Sequence, residues 1–81
     1  MTEEEIKQTI FQSIRKIAPE TEPELLQPDD NIRQILELDS FDALRLIVEL
    51  DEKLGVETSE EDYGKIATLK NMVNYIMEKK K

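Results

Sequence analysis

Eighty-one residues make one small domain, residues 1–81, near the lower range in which a single core folds without staples. The chain has no cysteine and no histidine, which excludes disulfides and the usual zinc and redox sites, so neither catalytic nor metal-ligating residues are expected. The formal charge of −8 is confined to one stretch: from 37 to 62, ten acids stand against Arg45 and Lys53 alone, a field that repels nucleic acid and anionic membrane and attracts basic partners.

The chain opens on Met1-Thr2-Glu3-Glu4-Glu5, acidic where a signal peptide requires a basic region. No apolar run approaches membrane-spanning length, so a cytoplasmic, soluble monomer is expected. Thr2 through Glu5 instead spells a capping box, with acids suited to the positive end of a helix dipole. Ile6, Ile10, Ile14 and Ile17, with Phe11 beside them, form the stripe of a first helix, which Pro19 stops.

From Pro19 to Glu37 runs a long connection with Pro23 and Pro28 in it. Leu25, Leu26, Ile32, Ile35, Leu36 and Leu38 are spread through it, too many for a free linker, which predicts an ordered loop folded onto the helices. Asp30 or Asn31 is placed to cap a short turn of helix through Leu36.

A central helix follows from about Ser40 to Leu54, ended by Gly55 in the left-handed conformation. Ala43, Leu46, Ile47, Leu50 and Leu54 make one stripe that suffices for a core. Phe41, Leu44 and Val48 make a second, interleaved with Asp39, Asp42, Glu49 and Glu52. That second stripe is either core buried on two sides, under the first helix and the long loop, or an apolar surface in an acidic field. Ser59-Glu60-Glu61-Asp62 is another cap pattern, but Gly64 limits this helix to a turn or two. Thr68 caps a last helix with the stripe Leu69, Met72, Val73, Ile76 and Met77, and Lys79, Lys80 and Lys81 suit its negative end. Nothing alternates at period two, so the fold is expected to be all α: a small bundle of three longer helices and one short.

Chemistry has few footholds. Two glycines cannot make a phosphate-cradling loop, and a calcium loop begun at Asp29-Asp30-Asn31 fails, with Arg33 breaking the ligand spacing and Gln34 where the sharp turn requires glycine. Ser40 has two readings: an ordinary N-cap or first-turn residue, or a hydroxyl placed to carry a phosphate where free N–H groups and the helix dipole favour an anion.

Taken together, LELDSFDALRLIVELDEKLGVE resembles the acyl carrier protein family, whose signature is Asp-Ser-Leu at the start of an acidic helix. The likeness extends over nearly the whole chain, through the first-helix stripe and the apolar loop to Lys65-Ile66-Ala67-Thr68-Leu69 and Asn74-Tyr75-Ile76. The resemblance implies that Ser40 bears a phosphopantetheine arm, derived from coenzyme A, whose terminal thioester carries acyl groups for fatty-acid, polyketide or related biosynthesis. It implies no catalytic activity in the chain itself. A phosphopantetheinyl transferase would install the arm, and enzymes with basic patches would load and process the cargo. Asp39 and Asp42 flank the serine as the family's acids do, and Glu49, Asp51, Glu52, Glu60 and Glu61 present charge to those enzymes. Phe41, Leu44 and Val48 supply the apolar contact between the acids, and Leu46, Ile47, Leu50, Thr58, Ile66 and Leu69 line the acyl cleft.

Several positions depart from the housekeeping pattern. Phe41 replaces the usual leucine, Arg45 stands where fatty-acid carriers commonly have glutamate, and Thr58-Ser59 replaces isoleucine and proline. No glycine precedes Asp39, which argues against the Gly-Gly-His-Ser and similar motifs of peptidyl carriers. A specialised carrier is expected, with Arg45 either excluding housekeeping enzymes or pairing with Asp42 or Glu49. The rival, from another class, is an unmodified acidic adaptor that offers its central helix to a basic protein.

Overall fold

In the computed structural model, which describes residues 2–80, the helices begin and end where short-range hydrogen bonds satisfy their orphan backbone groups. α1 (Glu3–Ile17) starts at the expected capping box: Thr2 Oγ1 accepts from the Glu5 N–H at 3.1 Å, and Glu5 Oε1 accepts from the Thr2 N–H at 3.0 Å. It stops at Ala18, just before Pro19. After a 3-10 turn at Pro23–Leu25, α2 (Ile32–Leu36) is capped by Asn31, whose Oδ1 accepts from the Gln34 N–H at 3.0 Å. The alternative cap, Asp30, instead accepts from the Gln27 N–H in the preceding turn.

α3 (Ser40–Leu54) has the bounds the sequence predicts, with Asp39 as N-cap and Gly55 at φ 65° closing it. The next segment departs from expectation. Glu60–Ile66 is a 3-10 helix that continues through Gly64, and Ser59 does not cap it through its side chain; the Ser59 carbonyl accepts the Asp62 N–H instead. α4 (Leu69–Lys79) is capped by Thr68, whose Oγ1 accepts from the Asn71 N–H. Lys80 does not serve the end of α4 with its amine, which reaches back to donate to the Leu54 carbonyl at the end of α3, 2.8 Å away. Lys81 lies outside the described residues, as does Met1.

α1 packs on α3 and α4, and the 3-10 segment lies against α4. Their facing stripes make the core: Ile6, Ile10, Phe11 and Ile14 from α1, Leu46, Ile47, Leu50 and Leu54 from α3, and Leu69, Met72, Val73 and Ile76 from α4 are all buried. Each such side chain contributes about 1.5–3 kcal/mol on burial, against about 1 kcal/mol for a cap, so packing rather than capping dominates. Ser13 is the polar exception, fully buried with its hydroxyl unpartnered.

The long connection is ordered because its backbone closes the start of α4. The Leu69 N–H donates to the Asp30 carbonyl at 3.3 Å, the Lys70 N–H to the Pro28 carbonyl at 2.9 Å, and the Ile32 N–H returns to the Ala67 carbonyl at 3.0 Å. With Thr68 on Asn71, the first three donors of α4 are met. Not every apolar residue of the loop turns inward. Leu26, Ile32 and Leu38 are buried, but Leu25 and Ile35 are 68% and 53% exposed, because the short 3-10 turn and α2 each have one inner face only. Among the described residues there is no strand, and no helix is long and apolar enough to cross a membrane.

Candidate functional site

Ser40 is the first residue of α3, not its cap. Asp39 takes that role, its carboxylate accepting the Asp42 N–H at 2.8 Å, so the Ser40 hydroxyl is left for other use. It is exposed, and its Oγ accepts a hydrogen bond from Arg33 Nη2 at 3.2 Å. Arg33 comes from α2, and the turn between the helices brings it there. Glu37 adopts the left-handed conformation at φ 55°, and the Arg33 carbonyl accepts both the Glu37 and Leu38 N–H groups.

Ser40 stands on the rim of a groove of about 740 Å³ between α2, α3 and the segment before α4. One wall is polar, from Asn31, Arg33 and Gln34; the other is mainly apolar and includes Ala43, Leu44, Ile47, Ile66 and Met72. Of the six expected cleft residues, Leu46, Ile47 and Ile66 line this groove. Leu50 and Thr58, again with Ile47 and Ile66, line a second space of only about 10 Å³ deeper in the bundle, and Leu69 is buried without facing either. Thr58 therefore does not line the larger groove. Its hydroxyl donates to Asp51 Oδ1 at 2.7 Å while its N–H donates to Asp51 Oδ2 at 3.0 Å.

The second stripe of α3 is surface, not core buried on two sides. Phe41 is 77% exposed, and Leu44 and Val48 are exposed with it. Asp39, Glu52, Glu60 and Glu61 are exposed near it in sequence, while Asp42, Glu49 and Asp51 are half-buried. Glu49 bridges α1 and α3: Lys16 Nζ donates to it at 3.0 Å and Lys53 Nζ lies 3.6 Å away. The Lys16 hydrogen bond is the main reason its carboxyl is held below the usual value, against a smaller opposing effect of burial. Arg45 is exposed and makes no ion pair among the described residues, so of its two readings the pairing with Asp42 or Glu49 is not formed.

Beyond the 3-10 segment, the Tyr75 hydroxyl donates to Asp62 Oδ2 at 2.6 Å, and Lys65 Nζ lies 3.2 Å from Asp62 Oδ1. The tyrosine bond, then Lys65, lowers the Asp62 pKa; the same bond, then burial, raises that of Tyr75. No cluster of three histidine, cysteine or acidic residues able to hold a metal occurs among the described residues. What the sequence reading missed is the α2 wall, Arg33 above all. Its signal was available only as a basic residue seven positions before the serine.

The small helical bundle, with an exposed serine at a helix start and a groove beside it, agrees with what the resemblance to the acyl carrier protein family implies. Residues 8–76 match the family model described as a phosphopantetheine attachment site. The acyl carrier protein of Rubrobacter xylanophilus is 37% identical over 75 residues, covering 89% of this chain and 93% of that protein. That of Campylobacter hominis is 30% identical over 70 residues, covering 83% and 89%. The structure of the acyl carrier protein from Enterococcus faecalis superposes with a TM-score of 0.74 at 30% identity over 98% of this chain and 99% of that one. A solution structure from Anaplasma phagocytophilum, described as an acyl carrier protein, reaches 0.85 at 30% identity, over 100% and 94%. The chain belongs to the acyl carrier protein family. It carries acyl groups on phosphopantetheine, is a carrier rather than an enzyme, and works with a phosphopantetheinyl transferase and biosynthetic enzymes.

Proposed function

We propose that Ser40 is the residue to which the arm is attached, and that the groove beside it and the exposed stripe of α3 serve the loaded protein. The observation that carries this reading is the exposed Ser40 hydroxyl at the first position of α3, on the groove rim, with capping left to Asp39. The residues fit the arm. Ser40 Oγ is accessible to a transferase, and the N-terminus of α3 favours the phosphate it would acquire. In that step Ser40 Oγ gives its proton to a base of the transferase and bonds to phosphorus, as the pyrophosphate bond of coenzyme A breaks and the nucleotide portion leaves. The arm, once bound, supplies a terminal thiol for thioester formation. Asn31 and Gln34 offer amide groups along one wall of the groove, and Leu44, Ile47 and Ile66 offer apolar surface on the other.

Partner enzymes meet Phe41, Leu44 and Val48 as the central contact, with Asp39, Asp42, Glu52, Glu60 and Glu61 steering basic patches toward it. Glu49 and Asp51 contribute charge from half-buried positions, their carboxylates already engaged by Lys16, Lys53 and Thr58. The formal charge of −8 disfavours self-association and contact with anionic membrane, in keeping with a cytoplasmic, single-domain monomer. Intact mass after incubation with coenzyme A and a broad-range phosphopantetheinyl transferase tests the assignment. The parent should gain the mass of one arm and Ser40→Ala should gain nothing; a gain that persists in the variant overturns it.

A further inference from the structure

We infer that Arg33 is the phosphate-binding residue of the loaded protein, its guanidinium holding the phosphodiester that joins the arm to Ser40. The inference rests on the assignment of Ser40 as attachment site. Its own ground is the hydrogen bond from Arg33 Nη2 to Ser40 Oγ, 3.2 Å, the atom that becomes the ester oxygen. A phosphate formed on that oxygen lies within reach of the same guanidinium by a side-chain adjustment alone.

Two further features single out this arginine. Its base is fixed: the Arg33 carbonyl accepts two N–H groups at the end of α2, and the neighbouring Ile32 N–H ties α2 to Ala67 before α4. Its charge is unspent, since Arg33 makes no ion pair among the described residues. A phosphodiester at Ser40 adds a negative charge beside Asp39 and Asp42, and from 37 to 62 the chain offers only Arg45 and Lys53 against ten acids. Arg33 is the cation already bonded to the attachment oxygen. Its planar fork can meet two phosphate oxygens at once, which a lysine cannot. Held so, the arm starts along the polar α2 wall of the groove instead of swinging free.

The test uses the full chain loaded with the arm, with intact mass establishing that loading has occurred and Ser40→Ala that it occurs at Ser40. Absence of loading, or loading of the variant, refutes the attachment assignment and this inference with it. With loading at Ser40 established, the Arg33 Nε–H signal is compared by ¹H–¹⁵N NMR before and after loading, and the ³¹P resonance of loaded parent is compared with that of loaded Arg33→Gln. The inference predicts that loading moves the Arg33 signal, and that Arg33→Gln moves the ³¹P line by more than its width, a difference that shrinks in high salt. An Arg33 signal unchanged by loading overturns it while leaving Ser40 as the attachment site. That comparison needs no variant, so it decides even where Arg33→Gln loads poorly. A residue that merely braced α2 would leave the ³¹P line in place.

Discussion

At the N-terminus of α3, two adjacent side chains divide the work: the Asp39 carboxylate caps the helix and Ser40 keeps its hydroxyl at the surface. The division has a measurable consequence. Asp39→Ala removes the acceptor of the Asp42 N–H and should cost about 1 kcal/mol in urea denaturation. Ser40→Ala removes only an exposed contact with Arg33 and should stay within about 0.5 kcal/mol of the parent. The reverse order would mean that Ser40 is the structural residue. The sequence narrowed the helix start to this pair without separating cap from first residue, because either side chain can accept an N–H bond. Nor could it show that Arg33 meets Ser40, since that depends on Glu37 taking a left-handed φ of 55° where no glycine or asparagine marks the turn.

Among the elements, α3 was the most legible, because its two stripes follow helical spacing and Asp39 and Gly55 mark both ends. Periodicity could not tell whether the second stripe was buried as well. The acids around Phe41, Leu44 and Val48 could, since burying so many carboxylates without partners is unfavourable. Less legible was the loop: its apolar content signalled order, but the bonds from Leu69 and Lys70 to Asp30 and Pro28 are between backbone groups and leave no side-chain pattern. For the same reason Leu25 and Ile35 could not be picked out as the exposed members. On the exposed face of α3, Arg45 has no acid within ion-pair distance among the described residues, so its positive charge is left to meet partners. A basic enzyme patch that pairs with glutamate at this position would be repelled by it. Arg45→Glu should therefore improve use of the protein by a housekeeping ketoacyl synthase, most clearly at low salt, where the Debye length is longest. Equal rates for parent and variant across salt concentrations would remove Arg45 from recognition.

The 3-10 segment and α4 are joined by the Tyr75–Asp62 bond, which also makes stability depend on pH. Asp62 is held below its ordinary value, so its contribution is present above about pH 4 and is lost as pH falls through the lowered pKa. Tyr75 is raised, so its contribution is present below about pH 10 and is lost as pH rises through the raised pKa. Tyr75→Phe should lower Tm most between those limits, with the difference from the parent narrowing at both extremes; a difference constant with pH would mean the two groups are not coupled.

For the whole molecule, the question is how cargo and charge are accommodated together. The groove beside Ser40 is roomy, but the space deeper in the bundle is only about 10 Å³, and the Thr58–Asp51 pair stands on its wall. A long saturated chain pushed inward would meet a carboxylate that apolar atoms cannot solvate. Short or polar acyl groups are the expected cargo, held in the groove. Loading an eight-carbon acyl group should shift signals of groove residues such as Leu44 and Ala43, whereas large shifts at Leu50 and Ile76 would show an interior that opens for long chains. The departure at Thr58 is visible in the sequence, but the sequence marks its partner Asp51, seven residues earlier, only as a charge, because nothing in the spacing ties helix to loop there. All of this depends on the arm being at Ser40, which peptide mapping addresses most directly. Tryptic cleavage after Arg33 and Arg45 releases Gln34–Arg45, in which Ser40 is the only hydroxyl-bearing side chain. After treatment with coenzyme A and a phosphopantetheinyl transferase, tandem mass spectrometry should find the added mass on that peptide, at Ser40; the added mass on any other peptide, or none with a transferase active on a control carrier, would contradict the account.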